Sequence, residues 1–271
     1  RERYTIDAKG NVSENAYDKV GNLIESVSYS RPVVVNGSNL SVDQVEQTLI
    51  DMFGSVQYGS DRLHIDDKDK RCNTYEYDSA NRLIFKLDGA GGLTKYEYDA
   101  QGYRIEEYHY AYNFFGARSF MNNNNISLQE LTDLFNNYIR EEDRQIRYAY
   151  DAKGQLRYVV DPLGNVSENI YDGHGNIRHR VSYSEPLVGV NGIYTEASIK
   201  AALDAQYPNA TTYQALGVAS DPNLRIETFV YDERNQVRYA LDGKGHVTEF
   251  NYNSAGQLTK RSRYAAIAGI T

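Results

Sequence analysis

"NVSENAYDKVGNLIESVSYS" occupies Asn11–Ser30, and "NVSENIYDGHGNIRHRVSYS" occupies Asn165–Ser184. Thirteen of the twenty positions agree across an offset of 154 residues. Both stretches contain a seven-residue unit: an apolar residue or Tyr, then Asp, two variable residues, Gly, one variable residue and an apolar residue. Working outward, the unit recurs eleven times, and a repeat of this kind governs the fold. The copies are IDAKGNV (Ile6–Val12), YDKVGNL (Tyr17–Leu23), YDSANRL (Tyr77–Leu83), LDGAGGL (Leu87–Leu93), YDAQGYR (Tyr98–Arg104) and YDAKGQL (Tyr150–Leu156). Then follow VDPLGNV (Val160–Val166), YDGHGNI (Tyr171–Ile177), YDERNQV (Tyr231–Val237), LDGKGHV (Leu241–Val247) and YNSAGQL (Tyr252–Leu258). Arg104 misfits; the expected apolar residue arrives one place late as Ile105.

The Gly slot holds Gly nine times and Asn twice, at Asn81 and Asn235. These residues tolerate a left-handed backbone. The Asp slot holds Asp ten times and Asn once, at Asn253. A short acceptor there bonds backbone N–H groups ahead of it and closes a turn. The unit therefore predicts a type I turn that ends in a left-handed residue, the turn of a β-hairpin with a Gly bulge. The flanks alternate with period two, as in Tyr75 and Tyr77, Tyr148 and Tyr150, or Leu156, Tyr158 and Val160. Such alternation places each set on one face of a sheet. Asp slots 10 or 11 residues apart leave strands of about six residues. The predicted fold is mainly β, an antiparallel hairpin meander with aromatic cross-strand pairs.

The meander comes in triplets at about 1–29, 73–111, 147–183 and 228–264, within one array over 1–271. Three inserts separate them, at about 30–72, 112–146 and 184–227, and each carries a helix signal. Ser41-Val-Asp-Gln44 and Ser127-Leu-Gln-Glu130 read as capping boxes. Val42, Val45, Leu49, Met52 and Phe53 follow the first at helical spacing; Leu128, Leu131, Leu134, Phe135, Tyr138 and Ile139 follow the second. The third helix is expected to start near Thr195 and to use Ile199, Leu203 and Tyr207. The first and third inserts open alike, SYSRPVVVNG (Ser28–Gly37) and SYSEPLVGVNG (Ser182–Gly192). Each helix is expected to lay its apolar stripe on one sheet face; recognition of a separate partner is the competing reading.

Bulk composition narrows the function. The 271 residues can bury a core, and the net charge of −8 lacks the basic footprint of a nucleic-acid or anionic-membrane binder. No apolar run is long enough to span a bilayer, and no signal pattern is found. The chain starts at Arg1 in mid-pattern, which predicts a segment of something longer. Cys72 is alone, so no intrachain disulfide forms. Tyr is abundant, with 25 Tyr, 8 Phe and no Trp, as a periodic use of Tyr requires.

No constellation of catalytic groups emerges. Asp66-Asp67-Lys68-Asp69 lacks the Gly and the late Glu of a calcium loop and reads as solvated. His64, His109, His174, His179 and His246 lack metal-helix spacing, and His174 with His179 reads as a surface pair. Arg71 could lower the Cys72 thiol pKa, but no orienting His lies nearby in sequence. Gly89-Ala-Gly91-Gly92 is a turn copy rather than a phosphate loop, and Glu141-Glu142-Asp143 a solvated helix end. Asn11-Val-Ser13 and Asn209-Ala-Thr211 matter only in a glycosylating source. Catalysis needs one asymmetric arrangement, whereas these residues recur eleven times in turn positions. The expectation is a non-enzyme with no catalytic, cofactor-binding or metal residues and no cofactor.

Tandem Tyr-Asp-x-x-Gly-x-Leu preceded by Tyr-x-Tyr, as in YEYD (Tyr75–Asp78), YEYD (Tyr96–Asp99) and YAYD (Tyr148–Asp151), resembles the RHS/YD-repeat family. The resemblance covers the chain outside the three inserts. It implies a sheet that curves and spirals into a hollow shell. In bacterial relatives, the toxin-complex cocoons and polymorphic toxins, such a shell encloses a toxic C-terminal domain; in teneurins it belongs to an adhesion receptor. The implied role is a structural shell segment of a large secreted or surface bacterial protein. Its implied partners are neighbouring YD repeats and an enclosed toxin domain, with no nucleic acid and no membrane insertion by this segment. The alternative is an adhesin or binding module that recognises carbohydrate or a cell-surface protein through exposed Tyr rows. Asp161-Pro162-Leu163-Gly164 matches the short Asp-Pro-x-Gly string of self-cleaving family cores. It sits at an ordinary turn slot, is followed by more repeats, and does not transfer that activity.

Overall fold

The computed structural model describes residues 1–33, 41–53, 70–113, 133, 142–190, 192–208 and 223–267. Among the described residues, fifteen strands follow one another as an antiparallel meander in chain order. The chain divides into two compact units, Arg1–Tyr98 with Glu107–Arg144, and Asp99–Glu106 with Gln145–Thr271.

In the first unit, β1 (Tyr4–Ile6), β2 (Val12–Tyr17) and β3 (Leu23–Tyr29) precede helix α1 (Val42–Phe53). Strands β4 (Lys70–Tyr77), β5 (Leu83–Leu87) and β6 (Gly92–Tyr98) follow, then most of β7 (Arg104–Asn113). The second unit holds β8 (Arg144–Tyr150), β9 (Leu156–Val160), β10 (Val166–Tyr171) and β11 (Ile177–Tyr183), then helix α2 (Glu196–Gln206). It ends with β12 (Leu224–Tyr231), β13 (Val237–Leu241), β14 (His246–Tyr252) and β15 (Leu258–Ile267).

Turn chemistry fixes the register. The first and seventh residues of a unit face each other across the hairpin: Tyr17 and Leu23, Tyr77 and Leu83, Val160 and Val166, Tyr171 and Ile177, Leu241 and Val247. The expected bulge lies immediately before the Tyr of Tyr-Asp turns, for example between Ile170 and Tyr171 and between Val230 and Tyr231. The register given for β9 with β10 and for β5 with β6, whose turns lack Tyr, contains no such shift.

Strand alternation sorts the two turn types. Turns beginning Ile6, Leu87, Val160 and Leu241 follow odd-numbered strands, as do all three inserts; turns beginning with Tyr follow even-numbered ones. In an antiparallel meander these are the two opposite ends of the strands.

One sheet face of each unit carries a core closed by a helix. In the first, Val12, Val27, Tyr29, Val33 and Cys72 pack with Val45 and Leu49 of α1. In the second, Tyr158, Val160, Val166, Val181, Tyr183 and Ile226 pack with Ile199 and Leu203 of α2 and with Tyr207. Full burial of a Leu or Ile stabilises by about 1.5–3 kcal/mol, so two such anchors suffice to seat a three-turn helix. Both helices begin where their polar residues predict. The Ser41 hydroxyl accepts from the Gln44 N–H while Gln44 Oε1 accepts from the Ser41 N–H. Thr195 and Ser198 form the same reciprocal box. Val42, expected in the apolar stripe, is exposed instead; it shares the face of Val45 and Leu49 but stands at the first helical position, at the helix end. The expected helix after Ser127 and the Asp66–Asp69 segment lie outside the described residues, as do His64 and Asn209.

Candidate functional site

The repeated residues are engaged with the backbone. All eleven Gly-slot residues have positive φ, from +57° at Asn235 and +60° at Asn81 to +107° at Gly21. The Asp161 turn is representative. The Gly164 N–H donates to the Asp161 carbonyl at 2.9 Å, and the Asp161 N–H donates to the Asn165 carbonyl at 2.9 Å. Asp161 Oδ1 accepts from the N–H groups of Leu163 and Asn165, and Oδ2 accepts from the Asn165 side-chain amide. The Asp7 turn uses Asn11 in the same way, which commits the amide of that glycosylation motif.

These contacts set the acid behaviour of the turns. Burial raises the Asp242 pKa, but N–H groups of His246 and Lys244 and the His246 ring outweigh it and hold the carboxyl at about 2. The Asn11 side chain and N–H groups of Asn11 and Lys9 hold Asp7 below the usual value. Asp78 and Asp172 are likewise lowered, backbone N–H donors prevailing over burial. A carboxyl depressed in the folded state contributes stability that is complete above its unfolded pKa, about 3.9, and is lost as pH falls through the folded pKa. Acid titration followed by circular dichroism is expected to show a plateau above about pH 4 and progressive loss towards about pH 2. Asp242→Asn should remove part of that slope.

The Tyr preceding Asp has an equally specific task. Its hydroxyl reaches the backbone carbonyl of the last residue of a neighbouring unit. Tyr77 donates to Leu23 (2.9 Å), Tyr98 to Leu83 (2.7 Å), Tyr150 to Arg104 (3.0 Å), Tyr171 to Leu156 (2.8 Å), Tyr231 to Ile177 (2.8 Å) and Tyr252 to Val237 (3.0 Å). Only the acceptor's backbone takes part, so Arg104 serves despite breaking the sequence pattern. Its guanidinium instead covers the Tyr148 ring at 4.9 Å. Tyr171→Phe removes one such staple and is expected to cost about 1 kcal/mol, read as a lower urea midpoint with an unchanged slope.

At the opposite strand ends, the first and third inserts meet the turns. The Val33 N–H donates to the Gly10 carbonyl at 2.7 Å, and the Leu187 N–H donates to the Gly164 carbonyl at 2.9 Å. A Cβ on Gly10 would stand 2.8 Å from the Val33 carbonyl oxygen, so Gly is required there for closeness as well as conformation.

Beneath each described helix lies a buried carboxylate that belongs to no recurrent turn slot. Glu168 is 2 % exposed. It accepts from the hydroxyls of Tyr158 (3.2 Å) and Tyr183 (2.7 Å) and pairs with Arg157 at 2.5 Å. Glu14 occupies the equivalent place 154 residues earlier, with Tyr29 at 2.8 Å, Tyr4 at 3.4 Å and Arg3 at 3.8 Å. Both are the Glu of the opening Asn-Val-Ser-Glu-Asn. Both share an Arg-Tyr pair ten residues before and a Tyr fifteen residues after. In the β5–β7 copy, Phe85, Lys95 and Tyr110 stand at these positions, and Lys95 pairs with Glu97 at 2.6 Å.

His179 is buried, correcting the reading of a surface pair with His174. Alternation along β11 turns Ile177, His179, Val181 and Tyr183 to one face, and His179 Nδ1 meets Thr228 Oγ1 at 2.9 Å. Burial, with Arg178, lowers its pKa. Cys72 is buried in β4, and its Sγ–H donates to Glu25 at 2.9 Å. Among the described residues no group of three His, Cys, Asp or Glu side chains could hold a metal, and no helix is long and apolar enough to cross a membrane.

No protein-family model and no curated protein matches the sequence. Solved structures do match. The crystal structure of TcdB2-TccC3-Cdc42 is 14 % identical, with a TM-score of 0.43, over 96 % of this chain and 11 % of that one. TcdB2-TccC3 without its hypervariable C-terminal region gives 15 % and 0.43 over the same shares. A porin-like protein from Bacteroides uniformis ATCC 8492 gives 11 % and 0.27 over 96 % of this chain and 95 % of that one. The chain thus spans about a tenth of the length of the TcdB2-TccC3 structures it matches.

Proposed function

We propose that this chain is a non-catalytic segment of an RHS/YD-repeat shell in a large secreted or surface bacterial protein, part of a wall that encloses a toxin domain. The observation that carries this reading is the engagement of the repeated Asp, Gly and Tyr residues with backbone groups. Such residues build a wall of repeating hairpins; they leave no single asymmetric constellation for a reaction. The sequence resemblance supplies the rest: the curvature, the enclosed domain and the export. Cryo-electron microscopy of the full-length protein that carries this segment tests it. Continuous wall density around an internal domain is expected. An open sheet with its tyrosine face in solvent would overturn the reading.

A second reading, an adhesin or binding module, draws on one feature of the second unit. Tyr103, Tyr148, Tyr150 and Tyr194 line a cavity of about 510 Å³ together with Asp99 and Glu196. Tyr103 stacks on Tyr150 with ring centres 4.8 Å apart. Aromatic faces beside carboxylates suit a sugar ring, with apolar contact below and hydroxyl acceptors at the rim. A glycan array separates the readings: the wall predicts no saturable signal, and the binding module predicts one that Tyr103→Ala abolishes.

A further inference from the structure

The tyrosine-lined cavity lies wholly within the second unit, where the β6–β7 and β8–β9 turns meet the start of α2. Its lining carries three carboxylates, Asp99, Asp151 and Glu196, against one cation, the exposed Lys153.

Both turns lack a clamp that others have. In the turns of Asp7, Asp18, Asp78, Asp161, Asp172 and Asp242, the fourth residue after Asp is Asn, Arg or His. Its side-chain nitrogen reaches the second carboxylate oxygen. At Asp99 that residue is Tyr103, which stacks on Tyr150 instead. At Asp151 it is Gln155, whose amide nitrogen turns to the next Tyr turn: a Cβ on Gly175 would stand 3.1 Å from it. Asp151 Oδ1 accepts from the N–H groups of Lys153 and Gln155 at 2.9 Å, and among the described residues nothing donates to Oδ2. Nor, among the described residues, does a hydrogen bond or ion pair engage the half-buried Glu196 carboxylate. Arg157 lies within its electrostatic reach but is paired with Glu168 at 2.5 Å.

The aromatic walls suit the same charge. Tyr148 carries the Arg104 guanidinium on one face at 4.9 Å, and Tyr194 carries that of Arg147 at 4.3 Å. Arg147 is itself held by Glu106 at 3.1 Å. Tyr103 is 39 % exposed, so its ring is open to a ligand.

We propose that this cavity binds an amino sugar, a hexose unit whose apolar face lies on Tyr103 and whose protonated amine is drawn to the Asp151 and Glu196 carboxylates. The inference rests on the binding-module reading and narrows its ligand. A neutral sugar would cover both carboxylates without a counter-charge, which is costly. An ammonium brings the charge and three donors, and the surrounding rings favour a cation as well.

Isothermal titration calorimetry of the folded protein tests it, at about pH 6, where carboxylates are ionised and amines protonated. The probes are a glucosamine disaccharide and cellobiose, which carries a hydroxyl in place of each amine. Saturable binding of the glucosamine disaccharide is expected, with cellobiose weaker by about tenfold or more. Asp151→Asn combined with Glu196→Gln should erase that preference and keep the fold. Asn253 already closes a turn of this array in the same way, its Oδ1 accepting from the N–H groups of Ala255 and Gln257. Added salt, which needs no variant, should weaken the glucosamine disaccharide and spare cellobiose. Equal affinity for the two disaccharides would overturn the amine assignment and leave the binding-module reading standing. Binding of neither would remove both. A preference that survives the double substitution, or that salt leaves untouched, would also overturn the proposal.

Discussion

Glu168→Ala is expected to lower the stability of the second unit by about 3–5 kcal/mol, the cost of breaking a buried ion pair from one side. Glu168 is held by Arg157 and by two phenol hydroxyls under α2. Its removal leaves the guanidinium and both hydroxyls without their shared acceptor, and an unsatisfied buried polar group costs about 1–3 kcal/mol. Domains are stable by only about 5–15 kcal/mol, so the loss is a large share of the total. Glu249→Ala serves as the control. The same network there, built from Arg238 and Tyr264, is half open to water, and a solvated pair contributes only about 0–1 kcal/mol. Guanidinium denaturation of both variants measures the contrast. Equal losses would show that burial under the helix is not what makes Glu168 matter.

Gly164→Val is the second large effect, expected at about 2–3 kcal/mol from the left-handed backbone and local strain. Gly164 has φ +87°, a region that a β-branched residue reaches only as an outlier. Space is short as well: a Cβ there would lie 3.2 Å from the Pro186 Cβ. The Gly164 carbonyl also receives the Leu187 N–H, so a displaced turn would loosen the segment that leads to α2. Thermal unfolding should show a lower midpoint. An unchanged one would contradict the turn geometry.

The sheet was legible because its signals are local. Asp and Gly declare a turn within five residues, and period-two alternation declares the strands on either side. The capping residues Ser41 and Thr195 made two helices equally readable. The buried glutamates were not, because nothing near Glu14 or Glu168 in sequence distinguishes a core acid from a surface one. Their partners lie 10 and 15 residues away, across two hairpins, and only the assembled sheet brings them together. His179 departs from the expected surface position for a related reason. Its pairing with His174 of the preceding turn suggests the surface, whereas its place in the β11 alternation points inward. The Tyr before Asp reads as a strand aromatic; its staple to a neighbouring carbonyl depends on the packing of adjacent turns, which the motif does not encode.

Stereochemistry selects the residue in the Gly slot, and Asn235 offers a direct trial. At φ +57° it is one of two places where a side chain stands in that slot. Melting temperatures of Asn235→Gly and Asn235→Val decide the matter. Glycine, free to adopt this backbone, should leave the midpoint within about 0.5 kcal/mol of the parent, while valine should lower it by about 1–2 kcal/mol. Equal losses from both would mean that the asparagine side chain, not the handedness of the turn, is what the position requires.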